Sequence, residues 1–305
     1  HGGQLSFFLQ LVKTPLLIGV IMNLFAIFFM LVFVNGWLGF PKYGVIGAAL
    51  GNGLSFVIGA LLLIVFWLSN QLSVKYSTIF DLDLDRVKEI FKVGLPAALE
   101  QVIFQIGITA FLILVAYYGT EAYAAYGIGV QILSFSFVIG FGFSIAGATL
   151  VGQHLGAKNK NQAKRAGWGA MRLSIVSMTF FGVIIATFAE PLARFMIDND
   201  EVVRLTVIFI WLLGSMQPLM AIEFSLGGAL RGAGDTKTPL AITLTCLLFI
   251  RVFLAVIFFL LDASIEIIFS TLLADYIVKG FLYVSRFRSD KWMNVLKIKE
   301  VDQQP

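Results

Sequence analysis

Eight long stretches of apolar residues, separated by short polar segments, organise this chain. They cover roughly residues 15–38, 44–68, 94–118, 122–152, 167–189, 203–228, 239–261 and 264–285. A helix needs about 20 apolar residues to cross a bilayer, and each stretch is long enough to do so. The pattern therefore predicts an all-α, polytopic membrane protein with eight transmembrane helices.

Two of these stretches predict an irregular helix. The fourth is too long for one straight span, and its glycines at 140, 142 and 147 predict a bend or a helix that runs out of the membrane. Pro218 lies inside the sixth stretch, where the missing N–H should loosen the backbone, for structural or for gating reasons. Gly127, Gly129 and Gly140 are expected to be sites of close helix packing.

Composition excludes the soluble classes of protein. Hydrophobic residues make up 59% of the 305 residues and charged residues 13%, which is too few charges to cover a soluble surface. Nucleic acid is therefore not an expected partner, although basic residues exceed acidic ones by four. A single cysteine, Cys246, and two histidines leave no basis for a disulfide framework, a zinc or iron–sulfur site, or a haem. No organic cofactor is expected.

Lys and Arg concentrate in alternate connections between the spans. The connections after the second, fourth and sixth stretches and the tail hold Lys75, Arg86, Lys88, Lys92, Lys158, Lys160, Lys164, Arg165, Arg231, Lys237, Arg286, Arg288, Lys291, Lys297 and Lys299. The remaining connections hold only Lys42, Arg194 and Arg204. Because cytoplasmic loops are enriched in Lys and Arg, the alternation predicts a multi-pass protein of the plasma (inner) membrane with both ends of this chain cytoplasmic.

A short repeat predicts the domain organisation. Lys13-Thr14-Pro15-Leu16 and Lys237-Thr238-Pro239-Leu240 both stand where a span is expected to begin, with Pro15, Pro96 and Pro239 as boundary residues. Their spacing predicts a six-helix repeat unit, parallel about an axis along the membrane normal. Residues 1–72 are then the last two helices of a first lobe, and 94–290 a complete six-helix second lobe. Four further helices are expected upstream.

The segment between these lobes, 73–93, is expected to be a cytoplasmic linker, and 291–305 a cytoplasmic tail. Within the linker, residues 81–93 are amphipathic, with Leu82, Val87, Ile90 and Phe91 on one face. This pattern favours a helix that lies at the membrane interface, with a solvated linker as the alternative.

Several motifs, in this order, resemble the MATE (multidrug and toxic compound extrusion) family. They are GFPKYGVIGAA at 39–49, VGLPAA at 93–98, GTEAYAAY at 119–126, AGATLVGQHLGA at 146–157 and GALRGAGDTKTP at 228–239. The resemblance implies a twelve-helix transporter with two lobes around a cleft, of which this chain would hold helices five to twelve. It also implies a monomeric secondary antiporter in the lipid bilayer that exports small organic cations in exchange for sodium ions or protons.

Five ionisable residues inside the predicted spans are candidates for function, because charges there are costly. Glu100, Glu223 and Lys279 lie about 9 Å from the cytoplasmic end of their helices, at about 1.5 Å per residue. Asp275 lies one turn deeper and Arg251 about 20 Å deep. Two carboxylates brought together cannot both stay ionised without a cation or a proton between them.

These positions predict a cation-coupling or substrate site. Its members are Glu100, Glu223, Asp275, Lys279, Gln101 and Gln105, with a sodium ion at Glu100 and Glu223 as the one metal considered. The alternative is that Lys279 only neutralises a glutamate. Asp275 and Lys279 share a helix face, and Arg251 is expected to form a structural ion pair near Asp275.

The resemblance departs from the family at this site. Sodium-coupled members carry a Glu on helix seven and an Asp on helix ten, and these positions fall on Phe104 and Met220 here. Glu100 and Glu223 each lie about one turn closer to the cytoplasm. Either the site has moved as a unit or the family's site does not carry over.

Three other functions compete with the antiporter. A lipid-linked sugar flippase of the same superfamily should carry several basic residues for pyrophosphate. An intramembrane enzyme needs a catalytic dyad or metal motif, which this sequence lacks, so enzymatic activity is not expected. A non-transporting membrane scaffold would leave the shared carboxylate layer unexplained.

Overall fold

A computed structural model describes residues 2–69 and 84–295, with side chains for 16–69, 84 and 87–295. The helices are α1 Gly2–Asn35, α2 Gly44–Leu68, α3 Leu84–Ala116, α4 Thr120–Gly156, α5 Lys160–Thr187, α6 Ala189–Met196, α7 Asp200–Ser215, α8 Gln217–Gly232, α9 Lys237–Thr243, α10 Phe253–Leu260 and α11 Ile265–Arg288. A π-helix, here called the π segment, joins α9 to α10 over Leu244–Val252. Within the described ranges no residue lies in a β-strand.

The all-α, multi-pass prediction is confirmed. Among the described residues, seven helices are long and apolar enough to cross a membrane, and α7 with α8 forms an eighth, broken span. The α9–π–α10 run counts as one of the seven because it continues from Lys237 to Leu260.

The chain divides into two compact units at residues 82 and 83, inside the predicted linker. Residues 73–83 of that linker lie outside the described residues, as do 296–305 of the predicted tail. In the first unit α1 packs on α2, because Gly47 and Gly51 bring α2 against the backbone of α1 at Phe33 and Met30.

Of the three prolines expected at helix starts, one lies there and two lie inside a helix. Pro239 does lie in the first turn of α9, but Pro96 lies twelve residues inside α3, and Pro15 lies inside α1. The helix-forming run before Pro96 continues into the span, and one proline removes only a single backbone bond. The described part of the amphipathic segment is therefore the beginning of α3 rather than a separate helix.

The fourth span is one unbroken helix of 37 residues. At about 1.5 Å per residue it extends about 56 Å, well beyond the roughly 30 Å hydrocarbon core, so it runs out of the membrane. Gly129 and Gly140 make room for the rings of Phe209 and Phe224, as predicted. The prediction for Gly127 is wrong, because it faces open space.

The sixth span is broken at the predicted proline. α7 and α8 meet at Met216 with a bend of 54°, and Pro218 occupies the first turn of α8. Because proline has no N–H, it cannot bond to the carbonyl of Gly214, which would be its partner in a continuous helix.

α8 is held close to α4 by small residues. Gly228 lies against the carbonyl of Ser144, and Gly232 lies against that of Ala148. An ideal Cβ on Gly147 would be 3.0 Å from the carbonyl oxygen of Ser225. The two backbones can approach this closely only because glycine has no side chain. These glycines therefore fix the orientation of α8, and with it the direction of its charged side chains.

Two large apolar clusters and a smaller third one form the described core of the second unit. Along α11, Ile268, Phe269 and Leu272 belong to the first cluster, and Tyr283 and Phe287 belong to the second. Asp275 and Lys279, two charged residues of the candidate site, lie on α11 between these two sets of apolar residues.

Candidate functional site

Asp275 and Lys279 are buried on α11, one turn apart. Their side chains are 0% and 1% exposed, and Lys279 Nζ lies 3.5 Å from the nearer Asp275 oxygen. Burial of unpaired ions is strongly unfavourable, so both groups need further partners of opposite charge.

Arg251 supplies one of these partners. It lies in the π segment, is 4% exposed, and its guanidinium forms an ion pair with the Asp275 carboxylate. The guanidinium also lies 5.2 Å from the ring centroid of Tyr276, in cation–π contact. The structure thus brings together the Arg251 and Asp275 that the sequence analysis placed at similar depth.

Glu223 on α8 supplies the other partner. Lys279 Nζ lies 3.2 Å from Glu223 Oε1 and 5.4 Å from the Tyr276 ring centroid. Arg251, Asp275, Lys279 and Glu223 therefore form a line of alternating charge, here called the charge ladder. Its formal charges sum to zero, which is the condition for burying four ionisable groups in one place.

Glu100 on α3 has a different partner from the one considered in the sequence analysis. Its Oε1 accepts a hydrogen bond of 2.9 Å from Arg231 Nη1. The Arg231 guanidinium also donates to Ser144 Oγ at 3.3 Å, and the Thr243 hydroxyl donates to Glu100 at 3.5 Å. Arg231 thereby ties α8 to both α3 and α4.

Sequence reasoning missed Arg231 as a site residue, because it counted this arginine among the basic residues of the cytoplasmic connections. A signal was present in the spacing. Glu223, Gly227 and Arg231 follow each other at intervals of four, which places them on one face of α8. Gly227 lies beneath Arg231 and Tyr283 on that face.

Asp235, in the turn that follows α8, is buried rather than at the surface. It is 3% exposed and accepts hydrogen bonds from Arg286 Nε at 2.8 Å and from the Thr238 hydroxyl at 2.8 Å. This pair fastens the turn between α8 and α9 to the end of α11. The turn thus has a structural role, which it performs through a buried charge.

The remaining predicted residues lie apart from these charges. Gln101 and Gln105 are exposed on α3 and have no hydrogen-bond partner among the described residues. Phe104 is half-buried, and Met220 is buried in an apolar cluster with Met178. The family's acidic positions are therefore occupied by apolar side chains.

A further polar residue lies at the break of the sixth span. Gln217 is fully buried, and its Oε1 accepts a 2.6 Å hydrogen bond from the Ser136 hydroxyl on α4. The Nε2 of Gln217 has no partner among the described residues. Across the same described ranges, no three His, Cys, Asp or Glu side chains converge as a metal site.

Comparison with known proteins places this arrangement in context. Residues 96–257, over half of the chain, match the family model MatE. A probable multidrug resistance protein NorM from Thermotoga maritima is 33% identical over 290 residues. That match covers 92% of this chain and 61% of the relative.

Solved transporters share the fold. A Vibrio cholerae MATE transporter, VcmN, gives a TM-score of 0.78 at 19% identity over 92% of this chain and 64% of that one. A Pyrococcus furiosus transporter of the MOP superfamily, described as having a binding pocket of reverse polarity, gives 0.79 at 21% over 90% and 62%. The chain thus spans about three fifths of the length of each of these proteins.

Proposed function

The chain belongs to the MatE family, and on that premise we propose that the protein is a secondary active antiporter. It exports small organic cations in exchange for sodium ions or protons by alternating access. One observation carries the proposal: in the membrane-spanning part, Glu100 and Glu223 are each paired with a basic side chain of another helix.

The coupling follows from competition for these carboxylates. Glu100 can hold the Arg231 guanidinium or an incoming cation, and Glu223 can hold the Lys279 ammonium or an incoming cation. When a carboxylate exchanges its basic side chain for an incoming cation, the ion pair that joins the two helices is broken. Cation exchange is thereby linked to helix movement, which is what an alternating-access carrier requires.

The other residues have supporting roles in this proposal. Asp275 receives the Lys279 charge when Lys279 leaves Glu223, since the two are already 3.5 Å apart. Arg251 holds Asp275 from its other side as a structural partner. Gln101 and Gln105 line the path of the substrate beside Glu100, on an exposed part of α3.

The same proposal assigns the setting. The protein works as a monomer in the plasma (inner) membrane, with both ends of this chain cytoplasmic and without an organic cofactor. The excess of Lys and Arg in alternate connections supports this orientation.

A transport assay in membrane vesicles tests the proposal. Vesicles from cells that express the protein are loaded with a fluorescent organic cation, and a sodium or a proton gradient is imposed separately. We expect export under one of the two gradients, which identifies the coupling ion. Glu100→Gln and Glu223→Gln should abolish gradient-driven export, while Glu190→Gln, an exposed acid outside the spans, should leave it unchanged.

Two outcomes contradict the proposal. If export persists in both glutamine variants at equal protein level, the two carboxylates take no part in the coupling step. If neither the sodium nor the proton gradient drives export of any organic cation, the protein is not an antiporter, and the membrane-scaffold hypothesis takes its place.

The charge ladder also disfavours a lipid-linked sugar flippase. Such a protein needs unpaired basic groups for a pyrophosphate. Here Arg231, Arg251 and Lys279 each contact a carboxylate, so the site offers negative charge to a cation rather than positive charge to a phosphate.

A further inference from the structure

α5 has a basic face near its N-terminal end that the transport proposal does not use. A cavity of about 580 Å³ opens there, lined by Asn161, Lys164, Arg165, Trp168, Gly169 and Arg172. Positions 161, 165, 168 and 172 follow helical spacing, so these side chains share one face. The opposite face, with Ala163, Gly167, Ala170 and Ser174, is buried.

Two arginines on this face have no counter-ion in the part of the chain that the structure describes. Lys164 is paired with Asp290 at 2.6 Å, but Arg165 and Arg172 contact no carboxylate among the described residues. Arg172 lies twelve residues from the start of α5, about 18 Å along the helix. A guanidinium at that position in a membrane span is costly unless an anion accompanies it.

Beyond Arg172 the same exposed face becomes apolar. Leu173, Val176, Phe180 and Val183 are each about 60–70% exposed, and they continue the stripe at intervals of three and four. Trp168 stands between the arginines, with its ring held edge-on against Phe287 at 5.2 Å. Tryptophan is typical of the membrane interface. Along α5 the order is therefore a charge, an aromatic ring, a second charge and then hydrocarbon surface.

We propose that this face of α5 is a binding site for an anionic phospholipid. The headgroup phosphate lies between Arg165 and Arg172, and the acyl chains lie along Leu173, Val176 and Phe180. Guanidinium groups form paired hydrogen bonds with phosphate oxygens, so a lipid phosphate would supply the anion that the two arginines need. The proposal concerns a lipid site and does not depend on the transport activity.

A second groove shows what distinguishes this one. Its volume, about 590 Å³, is nearly the same, and it lies at the end of α11. Arg288 is the one basic residue among its lining side chains, which are otherwise apolar or hydroxyl-bearing. A single arginine at the membrane surface is ordinary, so Arg288 provides a matched control.

Lipid binding can be measured directly on the purified protein in neutral nanodiscs. Native mass spectrometry compares the retention of phosphatidylglycerol with that of phosphatidylcholine. We expect the wild type to prefer phosphatidylglycerol. The double variant R165Q/R172Q should lose affinity by about 25-fold, at roughly fivefold for each arginine. R288Q should bind as the wild type does, and inorganic phosphate at equal concentration should not displace the lipid.

Three results would overturn the site. They are equal phosphatidylglycerol binding in the wild type and in R165Q/R172Q, an equal loss in R288Q, and displacement by inorganic phosphate, which would make it a site for free anions.

Brominated phosphatidylglycerol gives a second readout that leaves both arginines in place. The brominated lipid should quench the tryptophan fluorescence of the wild type at a lower lipid concentration than that of Trp168→Phe, which lacks the tryptophan at the site. Identical quenching curves for the two proteins also reject the proposal.

Discussion

The guanidinium of Arg231 lies 2.9 Å from the carboxylate of Glu100, although 131 residues separate them in the chain. The pair is only partly buried, at 34% and 14% exposure of the two side chains. It therefore differs from the charge ladder, whose central members Asp275 and Lys279 are closed off. Of the carboxylates in the candidate site, Glu100 is thus among those that an outside cation can reach.

Arg231→Gln should raise the apparent affinity for the transported cation. Removing the guanidinium frees Glu100 from its internal competitor, and a hydrogen bond to a charged group is worth about 1.5–3 kcal/mol. We expect the KM for export to fall by about tenfold. We also expect a lower maximal rate, because without Arg231 the binding of a cation at Glu100 no longer releases α8 from α3. Initial rates at varied cation concentration separate the two effects, and an unchanged KM would speak against competition.

The buried pair Arg251 and Asp275 gives a stability prediction. Arg251→Met should destabilise the protein by about 3–5 kcal/mol, because it leaves Asp275 short of positive charge in the core. The double variant Arg251→Met with Asp275→Leu should recover most of that loss, since an apolar pair of similar volume replaces the ions. Denaturant unfolding in detergent micelles measures both, and additive losses would contradict the pairing.

The close contact between α4 and α8 predicts a contrast between two glycines. Gly228→Ala should cost several kcal/mol, about 2–4, because a Cβ there overlaps the backbone of Ser144 and forces the helices apart. Gly142→Ala, on the same α4, meets open space and should be neutral or stabilising by up to about 1 kcal/mol. Thermal unfolding of the two variants side by side tests the difference.

The Asp235–Arg286 pair predicts that a buried ion pair matters more than an exposed one. Arg286→Gln should destabilise by about 2–3 kcal/mol, since Asp235 is left buried with only the Thr238 contacts. Arg194→Gln, which breaks the exposed pairs with Glu190 and Asp200, should lower the free energy of unfolding far less, because water screens these charges. Equal losses in the free energy of unfolding of the two variants would show that burial does not determine how much an ion pair contributes to stability.

The apolar pattern was sufficient to predict the spans because each one is long and needs no tertiary information. Counting residues from the helix ends also placed Arg251 near Asp275 in depth, and Glu223 near Lys279, and the structure brings both pairs together. The depth of a residue follows from the rise per residue, which is nearly constant.

Direction around the helix axis was harder to predict. Glu100 shares its depth with Lys279 but pairs with Arg231, because the glycine contacts between α4 and α8 orient that face of α8. The prolines misled for a related reason. A proline is tolerated inside a membrane-spanning helix where neighbouring groups satisfy the freed backbone carbonyl, so Pro96 does not have to mark a helix start.

The π segment has a consequence for the length of the seventh span. Because its hydrogen bonds skip one residue more than those of an α-helix, the segment holds a surplus of chain over the same rise. If the same residues were wound as an ordinary α-helix continuing from α9, the arginine would be turned about 100° around the axis. The guanidinium would then leave Asp275. The count of residues in this segment, and not only their identity, keeps the charge ladder neutral.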